Sequence, residues 1–132
     1  MELSVITPQR KVVEGVKITE LFAPGIEGQL DILPNHANLV TELETGVLRW
    51  KTSDGRNNAA AVSYGWLEVN GGRITVLADV AEMGSDISVE RAKAAETKAR
   101  KAIEDGGLDD SDFRKNELKL QRAMARQAST GG

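Results

Sequence analysis

The sequence predicts an N-terminal antiparallel β-sandwich of two sheets, residues 1–84, followed by a C-terminal antiparallel two-helix hairpin, residues 85–132. Three observations predict it. Up to about residue 82, apolar residues recur with a period near two and turn signals follow at intervals of roughly eight to twelve residues. After Gly84 the period becomes helical and proline disappears from the chain. Asp54-Gly55 and Asn70-Gly71 each separate two strand-like runs and have the composition of tight hairpin turns, since Gly accepts positive φ freely and Asp or Asn better than most residues. Antiparallel hairpins follow, not parallel β-α-β crossovers.

Taken in order, "LSVI", "VKITELFA", "GVLRWK" and "GRITVLA" are strands rich in β-branched and apolar residues. Alternation is clear in the last, where Ile74, Val76 and Ala78 share a face. The first helix, "ISVERAKAAETKARKAIED", aligns Val89, Ala92, Ala95, Ala99, Ala102 and Ile103 along one side. Ser88 is its expected N-cap, because a hydroxyl there can accept from an unpaired first-turn amide. Gly106-Gly107 stops that helix, and the acidic "LDDSD" suits the positive end of the next. The second helix, "DFRKNELKLQRAMARQA", is expected to bury some combination of Phe113, Leu118, Leu120 and Met124, with "STGG" as a frayed tail. Alanine dominates the first helix's apolar side. At about 25 cal/mol per Å² each Ala in place of Leu forgoes roughly 1–2 kcal/mol of burial. Either the hairpin is held weakly enough to open, or small residues simply let the helices approach closely.

Composition limits the chemistry. With no cysteine there is neither a disulfide framework nor a thiolate metal site, and one histidine removes multi-histidine zinc sites, so no metal is expected. "MELSVITP" lacks the basic and apolar segments of a signal peptide, and no apolar run approaches the roughly 20 residues that cross a bilayer. A net charge of −3 argues against general nucleic-acid binding. Charge is uneven: residues 1–85 carry seven Lys/Arg against eleven Asp/Glu, and residues 86–132 carry ten against nine.

Three features invite functional readings. "APGIEGQLDILPNHANLV", residues 23–40, combines a Gly-x-x-Gly spacing with His36, but it lacks the lysine and the helix start of a phosphate loop. A hydrolase built on His36 would need a nucleophile that no spacing identifies. Lys115, Lys119, Arg122 and Arg126, with Arg114 beside them, are spaced to share one side of a helix. Such a stripe is either a solvated face or a dock for an acidic surface or a polyphosphate. Glu82, Asp86, Ser88 and Arg91 gather polar groups around a helix start, which can cap the helix or attract an anion.

The series "SVITP", "APGIEGQLDILPNHANL", "ETGVLR", "YGWLEV", "ITVLADVAE" and "LQRAMAR" is similar, in this order and over nearly the whole chain, to the epsilon-subunit family of the bacterial rotary (F-type) proton-translocating ATP synthase. The resemblance implies no catalytic residues. It implies a central-stalk rotor subunit that binds the gamma subunit, rests on the c-ring, and couples proton-driven rotation to ATP synthesis. It further implies that the C-terminal helices extend toward the catalytic alpha/beta head to restrain hydrolysis, and that the protein sits peripherally on the cytoplasmic face of the bacterial inner membrane without inserting. On this resemblance Gln29, Leu30 and Asp31 through His36 face the c-ring, and Arg114, Lys115, Lys119, Arg122 and Arg126 dock on the catalytic beta subunit. Asp31 and Asn35 stand where relatives commonly carry Gly, so both are expected at positions of positive φ.

Some members bind ATP on the folded helices, and the corresponding residues here are Glu82, Ile87, Ser88, Arg91, Ala92, Arg122 and Arg126. Serine replaces that motif's aspartate at Ser88. Losing one charge-assisted contact costs roughly 1.5–3 kcal/mol. No cofactor is therefore expected, with ATP binding absent or very weak. The alternative is an ATP-sensing regulatory module.

Overall fold

The computed structural model describes residues 1–130. Seven strands come first: β1 (Glu2–Ile6), β2 (Lys11–Gly25), β3 (Gly28–Ile32), β4 (Leu39–Leu43), β5 (Gly46–Thr52), β6 (Asn57–Asn70) and β7 (Arg73–Met83). A single 3-10 turn, Gly84–Asp86, leads to α1 (Val89–Asp105) and α2 (Asp110–Thr130). The two long strands are shared between layers. β2 pairs with β1 through its first half and with β5 and β3 through its second. β6 pairs with β5 over Asn57–Val62 and with β4 over Gly65–Val69, while β7 runs along its other edge. At the change of partner Tyr64 takes φ 45°, a value uncommon for a side-chain-bearing residue.

Alternation along these strands fills one core with Leu3, Val5, Ile18, Leu21, Ile32, Leu43, Leu48, Trp50, Leu67, Val69, Ile74 and Val76. Ile74, Val76 and Ala78 do share its face. Three strand expectations need correction. β1 lies parallel to β7, with Leu3 opposite Ile74 and Val5 opposite Val76, so not all pairing is between antiparallel neighbours. Asn70 is still a ladder residue opposite Arg73, and the turn is the pair Gly71-Gly72, both at positive φ as a two-residue hairpin requires. The Asp54-Gly55 connection is wider than a tight turn, because Lys51 pairs with Asn57 and the Thr52 hydroxyl instead bonds Asp54 and the Arg56 carbonyl. Thr52 and Arg56 together hold the Asp54 carboxyl below its ordinary range.

The helices begin and end on the expected signals. Ser88 Oγ accepts from the Arg91 N–H at 3.3 Å, Asp109 Oδ1 from the Asp112 N–H at 2.7 Å, and Gly106 and Gly107, both at positive φ, end α1. Burial differs from expectation. Phe113 and Met124 are 40% and 46% exposed and Leu118 and Leu120 only half-buried, while Ala123, Ala125 and Ser129 are buried. On α1, Ala92 and Ala99 are buried and Ala95 is exposed. Where α2 packs on β5 and β6 the buried positions are taken by small residues, with Arg122 and Arg126 beside them bonding the sandwich, and the large apolar residues lie outside that contact or at its edge. Ser129 and Thr130, expected in a frayed tail, complete the last turn of α2; the rest of that tail, Gly131 and Gly132, lies outside the described residues.

Candidate functional site

The most distinctive site is the seam between hairpin and sandwich. Its apolar part is slight: Ala61, Ile87, Ala92 and Ala125, with half-buried Val47 against them. Polar contacts add to it. Arg122 Nε donates to Ser63 Oγ at 2.9 Å, and that hydroxyl lies 3.0 Å from Thr45 Oγ1. Arg126 pairs with Glu82, the Nη2 donating to Oε2 at 3.3 Å. Its Nε sits 3.1 Å from Oε1 but outside hydrogen-bond geometry, so charge and the Nη2 bond hold the pair. Between α1 and α2, Gln127 Nε2 donates to Glu96 Oε2 at 2.5 Å and Arg100 bonds the other Glu96 oxygen at 3.0 Å. The Gln127 amide and then the Arg100 guanidinium hold the Glu96 carboxyl below its ordinary range.

Beside these contacts a cleft of about 420 Å³ opens between the helices and the sheet, lined by Val80, Glu82, Lys98, Lys119, Arg122 and Arg126 among others. The structure thus divides the predicted basic stripe. Arg114, Lys115 and Lys119 are exposed, whereas Arg122 and Arg126 are half-buried and already bonded to the sandwich. It also divides the residues matched to an ATP site. Glu82, Arg122 and Arg126 converge on the cleft, while Ile87 and Ala92 are seam core, Ser88 is occupied as a helix cap, and exposed Arg91 does not line the cleft.

At the opposite functional region, Gln29, Leu30 and Asp31 belong to β3, paired with Pro24, Ala23 and Phe22. Asp31 is therefore extended strand and not at positive φ, which corrects that expectation; Asn35 does take φ 68°. A ladder position asks nothing special of Asp, while the loop turn asks for a residue that tolerates the left-handed region, as Asn does. His36 donates its amide to the Leu33 carbonyl at 3.1 Å, and its ring Nδ1 lies 2.8 Å from the Ala37 carbonyl. No nucleophile shares those bonds.

Sequence reasoning missed an apolar surface and separate apolar residues. Tyr64, Trp66 and Leu77 are 48%, 53% and 52% exposed on one outer face of β6 and β7, with Glu42 opposite Trp66 across the β4–β6 ladder. Ile26, in the β2–β3 turn, and Leu33, just past the other end of β3, are exposed as well. A signal for the first existed: in "YGWLEV" the core takes Leu67 and Val69, which leaves both aromatic residues facing outward. Among the described residues no helix is long and apolar enough to cross a membrane, and no His, Asp and Glu cluster could hold a metal.

Residues 1–84 match the family described as ATP synthase, Delta/Epsilon chain, beta-sandwich domain, and residues 85–128 match the same chain's long alpha-helix domain. The ATP synthase epsilon chain of Syntrophomonas wolfei is 44% identical over 124 residues, 94% of this chain and 89% of the relative. That of Symbiobacterium thermophilum is 40% identical over 131 residues, 99% and 93% of the two chains. A chain of the Euglena gracilis mitochondrial ATP synthase shares the fold with TM-score 0.85 at 19% identity, covering 97% of this chain and 79% of that one. A chain from the central stalk and c-ring of the Tetrahymena thermophila mitochondrial ATP synthase does so at TM-score 0.64 and 14% identity, covering 98% and 96%. With both parts of the chain matched in order and bacterial relatives at this identity, the chain belongs to the ATP synthase Delta/Epsilon chain family, as a non-catalytic epsilon-type subunit.

Proposed function

We propose that this subunit couples rotation of the c-ring to ATP synthesis in the catalytic head and restrains ATP hydrolysis through its C-terminal helices. Residues 1–84 act as the contact domain and residues 85–132 as the regulatory one. The observation that carries the regulatory half is the double use of the hairpin. Its attachment rests on alanines and a few arginine contacts, while Phe113, Arg114 and Lys115 remain exposed and Lys119 only borders the cleft. A helix with apolar and cationic groups left over in one position has the surface to occupy a second, acidic one on the catalytic beta subunit. The stretch from Gln29 to His36, with exposed Leu33, is the c-ring contact, and the face of Tyr64, Trp66 and Leu77 receives the gamma subunit, since an exposed apolar patch marks an interaction site. Assembly through these surfaces keeps the subunit peripheral at the cytoplasmic face of the bacterial inner membrane.

Hydrolysis by the reconstituted enzyme tests the inhibitory reading. Lys115→Ala with Lys119→Ala removes exposed charge without touching the Arg122 and Arg126 bonds to the sandwich, and hydrolysis is expected to rise severalfold. Unchanged activity would remove the stripe from the mechanism. Replacing Arg122 and Arg126 tests less cleanly, because it also loosens the folded position.

The convergence of Glu82, Arg122 and Arg126 on the 420 Å³ cleft favours a second reading, an ATP-sensing module. Ser88 offers no carboxylate and its hydroxyl already caps α1, so ATP binding is expected to be absent or very weak. Calorimetric titration of the isolated chain checks this, and a micromolar dissociation constant would reverse it.

A further inference from the structure

The folded hairpin is also fastened at a point that neither the basic stripe nor the alanine seam explains. Gly84, the first residue after β7, is buried, and a Cβ built on it would lie 3.0 Å from the Ser129 carbonyl carbon and closer still to its oxygen. Its φ lies outside the left-handed region, so the backbone there would accept an alanine; the Ser129 carbonyl of α2 is what forbids one, with the Ala59 carbonyl of β6 a lesser neighbour at 3.3 Å. Ser129, in the last turn of α2, is 4% exposed, and its hydroxyl is satisfied by the Arg126 carbonyl at 2.8 Å. From β5, Arg49 Nη2 donates to the Ala128 carbonyl at 2.9 Å. Carbonyls of a last helical turn lack ladder partners, and a cation there also meets the negative end of the helix dipole.

These contacts converge on the hinge. The hairpin joins the sandwich through residues 84–88, so any swing of the helices must change torsions there, and the last turn of α2 lies on the backbone of Gly84. We propose that α2's last turn is a latch on the interdomain hinge: Gly84 and Arg49 hold it down, and the hairpin cannot leave the sandwich until that turn lifts. This rests on the reading above that the helices move. It adds where release is controlled, at the Ala128–Ser129 turn rather than along the seam.

The full chain tests it. The protein has no cysteine, so Glu44→Cys with Gln121→Cys, two exposed positions bordering one surface pocket, can carry a pyrene pair whose excimer reports the docked hairpin. Gly84→Ala is expected to lower the docked-to-undocked ratio roughly tenfold or more, as forced overlap in a packed contact does. Arg49→Gln should lower it about threefold, the charge-assisted bond being partly exposed. If the latch is the reason, Gly84→Ala should cost nothing further once residues 128–132 are deleted, because the two changes remove one interaction. Unchanged excimer in both point variants overturns the proposal. So does loss of β-sheet circular dichroism by Gly84→Ala in both the full and the shortened chain, which would assign Gly84 to the sandwich itself. Undocking without a change in hydrolysis by the reconstituted enzyme would leave the latch standing and overturn the inhibitory reading instead.

Discussion

The two buried regions of this molecule are built from different materials. The sandwich core packs Leu, Ile, Val and Trp50 from all seven strands, with Leu3, Val5, Leu21, Ile32, Leu48, Leu67 and Val76 at 0% exposure. The hairpin seam packs three alanines and Ile87, and it relies on Arg122, Arg126 and Arg49 for the rest. A leucine fully withdrawn from water contributes on the order of 1.5–3 kcal/mol, and alanine offers far less apolar area to withdraw. Half-exposed ion pairs add little to that. The core therefore makes a permanent body, and the seam makes an attachment whose free energy is within reach of a competing partner surface.

Substitutions can break that contrast, beginning with the largest effect. Leu48→Ala, at 0% exposure in the core, is expected to lower global stability by roughly 2–5 kcal/mol, read by urea unfolding of the sandwich. Ala92→Leu, also at 0% exposure but in the seam, should overpack a close contact at a cost of about 1–3 kcal/mol. That cost should appear as faster exchange of α1 and α2 amides, with the sandwich's own unfolding midpoint unmoved. A shift of that midpoint matching the one from Leu48→Ala would show that the two regions are one cooperative unit. The smallest effect is that of pH. Glu96 has a lowered folded pKa, from Gln127 first and Arg100 second, so its contribution is present above the unfolded carboxylate value of about 4.5 and is lost as pH falls through the folded value below it. Acidification through that window should loosen the α1–α2 pairing, and Glu96→Gln should remove the dependence. Helical circular dichroism followed against pH in both chains checks this.

Much of this architecture was legible because its signals are local. The change of period at Gly84, the Ser88 cap and the Gly106-Gly107 stop are each decided within a few residues, and each stands where it was expected. What could not be read depends on residues distant in sequence. The parallel pairing of β1 with β7 joins segments some seventy residues apart. Amphipathic reasoning turns Phe113 and Met124 inward because they are large and apolar, yet the positions buried on α2 are those of Ala123, Ala125 and Ser129, with Arg122 and Arg126 half-buried beside them. Asp31 was expected in a strained loop because the ladder with Phe22 is invisible in one strand alone. The stripe's spacing was legible, but that Arg122 and Arg126 are already occupied needed Ser63 and Glu82 from across the seam. Arg49 closes the "ETGVLR" stretch and Gly84 marks the change of period, but only the nearness of α2 gives either a role in holding the hairpin.

Native-state hydrogen exchange of the isolated chain tests the central claim most directly, because it ranks amides by the free energy of the opening that exposes them. Amides of α1 and α2 are expected to exchange through an opening several kcal/mol less costly than that of the β6 and β7 amides around Leu67 and Val76. A single common opening energy for helices and sandwich core would contradict the account.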